Sequence, residues 1–179
     1  MVDLPEKRSP LHDLAMPKTG SDKVLLSERL CDSLVQVQAW PDTVKEVEKL
    51  LAAHRGDVTI MESGPGRWLV EDQKAGLEER LRKKITSELG AVTGLTHARV
   101  VVTISGEEST WVLASGIALD FHLDAFPVGT TQLGHHHEIG LTIHRKGENS
   151  FELYVFTSLV RSFWNWIEKA SSEVGYSVT

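Results

Sequence analysis

The chain has 179 residues, which is enough for one domain or for two small halves that share a core. Its 19 basic and 25 acidic residues give a formal net charge of -6, which argues against nucleic acid as a partner. Cys31 has no second cysteine to pair with and no apolar run is long enough to span a bilayer, so we expect a cytoplasmic protein that does not bind membranes.

The first segment differs in composition from the rest of the chain. Residues 1–27 contain Pro5, Pro10 and Pro17 with mixed charges and no sustained apolar period, which predicts an extended or mobile N-terminal arm. Residues 28–179 form the predicted domain, with halves at about 31–90 and 91–173.

The first half begins with an alternating pattern. Val35, Val37 and Ala39 alternate with polar residues and Trp40, which predicts a half-buried strand. Thr43 and Glu46 have the spacing of a capping box before a helix that Gly56 would end. The apolar residues of that helix are Val44, Val47, Leu50 and Leu51.

A hairpin and a second helix follow. Strands at 58–62 and 67–71 are joined by Gly64-Pro65-Gly66, whose residue types suit a type II turn and are compatible with a bulge. Asp72 is a candidate cap for an amphipathic helix that Gly90 would end. Its apolar residues recur every fourth position, at Leu77, Leu81, Ile85 and Leu89.

The second half repeats this order. A strand at 100–104 precedes a capping box at Ser105 and Glu108 and a short helix through Ala114 that Gly116 ends. Strands at 139–143 and 151–155 flank a turn at Gly147, and a last helix covers 158–171. The sequence therefore predicts an α+β fold of two ferredoxin-like βαββα halves in one compact domain.

The last helix has an apolar face wider than a surface helix needs. Val160 and Trp164 lie well away from the centre of the stripe formed by Leu159, Phe163, Trp166 and Ile167. This favours a central core helix, and contact with another chain is the alternative. Under that alternative, we predict a partner interface at Arg67, Trp68, Val160, Arg161 and Trp164.

Candidate chemical sites each have a simpler structural explanation. In an extended segment, His135 and His137 would point together towards a metal while His136 faces away, but a solvated loop or strand edge is favoured. We interpret Cys31 as a buried or partly buried thiol and the acidic and histidine residues of 120–124 as a loop fixed by local hydrogen bonds. A solvated helix face explains the basic residues Arg80, Arg82, Lys83 and Lys84. We predict no catalytic, cofactor-binding or metal-binding residue in this chain.

Several stretches carry a family resemblance. They read THARVVVTISG at 96–106, VLASGIALDFH at 112–122, AFPVG at 125–129, FELYV at 151–155 and RSFWNWI at 161–167. With residues 33–41 and 66–70 of the first half, they resemble the gamma subunit of heterotetrameric sarcosine oxidase. The likeness covers about residues 31–167.

The resemblance implies a non-catalytic subunit that supports assembly with the large folate-containing chain. Its partners would be the alpha, beta and delta chains of a complex that demethylates sarcosine to glycine, forms hydrogen peroxide and passes the one-carbon unit to tetrahydrofolate. FAD, FMN, NAD, tetrahydrofolate and zinc would all be held by those partner chains. The alternative is a free-standing folate-binding protein like the aminomethyltransferases, whose fold is related. A ferredoxin-like RNA-binding module is disfavoured by the acidic charge.

Overall fold

The computed structural model describes residues 8–12, 20–54 and 56–179. Most of the predicted N-terminal arm, residues 1–7 and 13–19, lies outside the described residues. Within them the strands are β1 (Leu25–Leu30), β2 (Ser33–Ala39), β3 (Thr59–Gly64), β4 (Arg67–Asp72), β5 (Gly90–Gly94), β6 (Arg99–Ser105), β7 (Thr131–His136), β8 (Ile139–Gly147), β9 (Ser150–Phe156) and β10 (Ser177–Val178). The helices are α1 (Val44–Ala52), α2 (Leu77–Arg82), α3 (Ser109–Ala114) and α4 (Val160–Ser172).

The first half has the ferredoxin-like arrangement that the sequence predicts. Its sheet has the order β3-β4-β2-β5 with antiparallel neighbours throughout. The hairpin prediction is confirmed, since β3 and β4 pair across Gly64-Pro65-Gly66 with a register shift between Glu62 and Gly64. Helices α1 and α2 cover one face, where their apolar residues pack against Val35, Val37 and Val70.

The sheet of the second half includes a strand from the N-terminal segment. Its sheet has the order β10-β1-β6-β9-β8-β7 over the described residues. Strand β1 pairs antiparallel with β6, in the position that β5 takes beside β2 in the first half. Residues 25–27, which were predicted to belong to the N-terminal arm, therefore lie in a sheet. Leu11 also belongs to the core of this half and is fully buried.

The two sheets pack face to face, with the helices on the outer faces. Because side chains alternate along a strand, each sheet buries one face against its helices and the other against the opposite sheet. An apolar cluster between the sheets joins the halves, and its members are Cys31, Leu34, Met61, Leu69, Val101 and Tyr154. We call the side chains that face the opposite sheet the inter-sheet layer.

Helix α4 is a core helix. Val160 and Trp164 are 0% and 1% exposed, and they pack in the same cluster as Phe163 and Ile167. The apolar face is wide because the helix is buried by its own sheet and by neighbouring segments of the second half.

The helix ends differ from the predicted caps. The Thr43 hydroxyl donates to the backbone carbonyls of Trp40 and Leu89 instead of capping α1. Helix α2 begins after Gly76, not at Asp72, and ends at Arg82, so Gly90 opens β5. Ser105 lies in β6 and Glu108 is the residue before α3, so the second capping box was also wrong.

Candidate functional site

One end of the inter-sheet layer holds a network of charged and hydroxyl groups. Arg29 of β1 forms an ion pair with Glu71 of β4, and its Nη2 also donates to Glu152 Oε1 of β9 at 3.0 Å. The Tyr154 hydroxyl donates to Glu71 Oε2 at 2.6 Å and lies 3.2 Å from Glu152 Oε2. Because Glu71 belongs to the first sheet and the others to the second, this network connects the two halves.

The network sets the charge states of its members. Burial, together with Glu71 and Glu152, raises the pKa of the Tyr154 phenol well above its usual value, so the hydroxyl remains a donor. Burial alone would raise the pKa of Glu152, but His144, Arg29 and Lys146 outweigh it and lower the pKa to about 2. His144 Nδ1 lies 3.7 Å from Glu152 Oε2.

The lowered pKa of Glu152 predicts a loss of stability in acid. Its ordinary value is 4.5, so the ionised carboxylate stabilises the fold above about pH 4.5, and this contribution is lost as the pH falls towards 2. Urea unfolding at a series of pH values should give a shallower acid loss for Glu152→Gln than for the wild type. The exposed Glu48 provides the control, because Glu48→Gln should follow the wild-type curve. Identical slopes for all three proteins would contradict the assignment.

The opposite end of the inter-sheet layer opens to solvent as a cleft of about 240 Å³. Its polar lining includes Gln36 of β2, Ser63 of β3, Arg67 of β4 and Arg99 of β6. No aspartate or glutamate is found among the described residues that line it. The cleft is therefore positively charged, although the chain as a whole is acidic.

Arg99 is held inside this cleft by an aromatic side chain. Its guanidinium carbon lies 3.4 Å from the ring centroid of Phe156, and Nη1 lies 3.4 Å from the carbonyl oxygen of Tyr154. Burial lowers the pKa of Arg99 to about 10. Arg99 Nε and Ser63 Oγ are buried without a hydrogen-bond partner among the residues that the structure describes. Such atoms favour a ligand that can accept or donate hydrogen bonds.

The rim of the cleft is apolar and exposed. Leu133 of β7 and Phe156 of β9 line the cleft and are 50% and 41% exposed. Leu159, which is 37% exposed, follows Phe156 closely and its backbone N–H donates to the Phe156 carbonyl at 2.9 Å. Exposed apolar side chains around a charged centre are typical of a protein interface.

The structure separates the residues predicted for the partner interface. Arg67 is exposed at the cleft, and its Nε donates to Gln38 Oε1 at 2.7 Å. Trp68 points to the opposite face of β4 and packs under α1 and α2. Val160 and Trp164 are buried by this chain's own core, and Arg161 is exposed on α4.

The histidine cluster does not have the geometry expected of a metal site. His136 stacks on Trp166 with ring centroids 4.0 Å apart, and its Nδ1 lies 3.0 Å from the carbonyl oxygen of Gly116. His137 follows β7 in a turn with φ of 49°, so it does not share an extended face with His135. In the part of the chain that the structure describes, no three His, Cys, Asp or Glu residues are placed to hold a metal ion.

The other candidate groups have structural roles. Cys31 is a buried thiol in the inter-sheet layer, as predicted. The predicted local hydrogen bonds of the 120–124 loop are confirmed, since Asp120 Oδ1 accepts from the His122 N–H at 2.9 Å. All four basic residues predicted for a helix face are exposed, but Lys83 and Lys84 lie beyond the end of α2. Arg80 and Arg82 form ion pairs with Asp72 and Glu78.

Sequence reasoning missed the inter-sheet residues Arg29, Glu71, Arg99 and Ser63. A signal was present for Arg99, which directly precedes the strand predicted at 100–104 and, by alternation, falls on the face opposite to Val100 and Val102. An arginine at such a position indicates a polar face, but not what that face meets.

None of the helices in the described residues is long and apolar enough to cross a membrane.

The chain is similar to one protein family and to solved structures. A family model described as the sarcosine oxidase, gamma subunit family matches residues 46–173. The fold is similar to a chain of heterotetrameric sarcosine oxidase from Corynebacterium sp. U-96 in complex with pyrrole 2-carboxylate, with a TM-score of 0.81 and 24% identity, covering 93% of this chain and 95% of that chain. Among the curated proteins, none matches this sequence.

A second solved structure shares the fold at lower similarity. It is the glycine cleavage system aminomethyltransferase T from Bartonella henselae, with a TM-score of 0.60 and 12% identity. The match covers 88% of this chain but 48% of that one, so this chain spans about half of its length.

Proposed function

Since the chain belongs to the sarcosine oxidase, gamma subunit family, we propose that it is a non-catalytic subunit whose role is to assemble with the other chains of a sarcosine oxidase. The observation that carries this proposal is the family match over residues 46–173. The inter-sheet cleft, with its exposed apolar rim, supports it because it provides a surface suited to a partner chain.

The partners in this proposal are alpha, beta and delta chains in a cytoplasmic complex. The complex demethylates sarcosine oxidatively to glycine, reduces oxygen to hydrogen peroxide and passes the one-carbon unit to tetrahydrofolate. FAD, FMN, NAD, tetrahydrofolate and zinc belong to the partner chains, and the large folate-containing chain is the one that this subunit supports.

Purification of the tagged chain from its native host tests this proposal. We expect larger chains to co-purify, with the yellow absorbance of bound flavin. The exposed control residue is Lys45 on α1, and the variant Lys45→Gln should recover the same chains. A colourless chain that is recovered without partners would contradict the proposal.

A free-standing folate-binding protein is the second candidate, because the fold is similar to that of aminomethyltransferase T. The two candidates differ in where tetrahydrofolate binds. Calorimetric titration of the purified chain with tetrahydrofolate should give no binding heat if the folate site belongs to a partner, and a saturable heat if this chain is itself the folate-binding protein.

A further inference from the structure

We propose that the cleft between the two sheets is the docking site for an acidic side chain, aspartate or glutamate, of a partner subunit. This inference rests on the subunit role proposed above and names the contact through which that role is carried out. The two arginines of the cleft, Arg67 and Arg99, would bind the carboxylate.

The first argument is charge. Arg67 and Arg99 lie on facing sheets and line the same cleft, and the described lining residues include no carboxylate to offset them. At the other end of the inter-sheet layer, Arg29 is paired with Glu71 and Glu152. The chain thus pairs the half-buried Arg29 at one end with carboxylates of its own and leaves the other end for an acidic group from outside.

The second argument is hydrogen bonding. Ser63 is 7% exposed. Its Oγ and the Nε of Arg99 both lack a hydrogen-bond partner within the described residues. A carboxylate has two acceptor oxygens, so one group entering the cleft would accept from both atoms. Because the Phe156 ring holds the guanidinium of Arg99, little conformational entropy would be lost on binding.

Size and surroundings favour a side chain over a free metabolite. The cleft volume of about 240 Å³ is below the roughly 300–1,000 Å³ of most small-molecule sites. Leu133 and Phe156 extend the cleft into an exposed apolar rim, which would pack against residues on either side of the acidic group. A central charge contact with an apolar surround is the arrangement found at interface hot spots.

The test measures assembly of the full chain with the purified alpha, beta and delta chains. Arg99→Met keeps an unbranched apolar stem against Phe156 and removes the guanidinium. We expect Arg99→Met to weaken the affinity for the other chains by about 30-fold or more, because it would leave the partner's carboxylate unpaired in the interface. Arg82→Met is the matched control, because Arg82 is exposed on α2, on the outer face of the first half. It should bind like the wild type.

The outcomes separate the two proposals. If the wild-type chain does not bind the other subunits, the proposed function fails. If the wild type binds and Arg99→Met binds equally well, the docking inference is wrong and the subunit role stands. Thermal unfolding of each variant separates lost docking from lost folding. The variant Arg67→Gln serves the same purpose, because it removes an exposed group of the cleft.

A photo-crosslinking amino acid at Leu133 identifies the occupant. The expected product is a partner peptide that contains aspartate or glutamate, and a crosslinker at Trp111 of α3 should not give that peptide. The inference would be overturned if malonate raised the melting temperature of the wild type but not of Arg99→Met, while both proteins assembled equally well with the other subunits. The cleft would then be a site for small carboxylates.

Discussion

Replacing Trp164 with alanine should lower the free energy of unfolding by about 3–5 kcal/mol, the usual cost of removing a large buried aromatic side chain. Trp164 is 1% exposed and packs in the core of the second half with Val160, Phe163 and Ile167. Removal of the indole would leave a cavity that α4 and its sheet cannot fill without moving. Urea unfolding of the isolated chain measures this loss.

Trp111 provides the matched control. It is 47% exposed on α3, so Trp111→Ala should change the free energy of unfolding by less than about 1 kcal/mol. The comparison also decides between the two interpretations of the wide apolar face of α4. If Trp164→Ala left stability unchanged but prevented assembly with the partner chains, Trp164 would be an interface residue and the core assignment would be wrong.

Gly106→Ala should destabilise the chain by about 2–5 kcal/mol, the sum of a backbone and a packing cost. Gly106 follows β6 with φ of +113°, a conformation that residues with a side chain rarely adopt. A Cβ at this position would lie 2.2 Å from the carbonyl oxygen of Lys23, just ahead of β1. The substitution would therefore push the N-terminal segment away from the sheet that β1 joins. Denaturant titration is again the measurement.

Gly129→Ala separates the two contributions. Gly129 also has a positive φ, +82°, but an added Cβ would meet nothing within 4 Å among the described residues. Its substitution should cost about 1 kcal/mol, for backbone strain without a clash. Equal effects of the two substitutions would show that the close approach of Lys23 to Gly106 does not constrain the fold.

Local patterns were sufficient to predict most of the elements. Alternation of apolar and polar residues gave β2, β6, β8 and β9 because each of these strands has one face on helices. The Gly64-Pro65-Gly66 hairpin was predicted because the turn requires those residue types. The α+β fold with two ferredoxin-like halves followed from the order of these elements.

The strands that were missed depend on pairing between distant segments. The three consecutive polar residues Ser27, Glu28 and Arg29 interrupt the alternating pattern of β1, so the sequence does not indicate a strand there. The strand is recognisable through its pairing with β6. Gly90 was interpreted as the end of a helix because helix C-termini favour glycine, yet an added Cβ there would lie 2.3 Å from the Gln38 carbonyl oxygen. Close packing of β5 against β2, not a helix end, is the reason for glycine at this position.

The site was harder to predict than the fold. Arg67 was selected from the sequence and lies at the cleft, but its neighbour Trp68 points to the other side of β4, as alternation requires. Val160 and Trp164 are apolar enough for an interface, and the packing of this chain buries them instead. Arg99 and Ser63 line the same cleft from two different sheets, and a sequence pattern does not indicate which strand faces lie opposite each other.

The duplicated order of elements explains how one surface acquires its charge. Each half covers one sheet face with helices, so the remaining faces meet and their polar residues are forced into a shared layer. At one end the charged groups of that layer pair with one another, and at the other end they line a cleft open to solvent. The positive cleft is thus a product of the arrangement of the halves, and not of a linear motif.

The mass of the assembled complex tests the central claim most directly. The purified alpha, beta and delta chains, mixed with an equimolar amount of this chain, should elute from a sizing column as one flavin-containing species whose mass by light scattering is the sum of all four chains. Elution of this chain as a separate monomer, next to a flavin-containing complex of unchanged mass, would contradict its proposed role as a subunit of the oxidase.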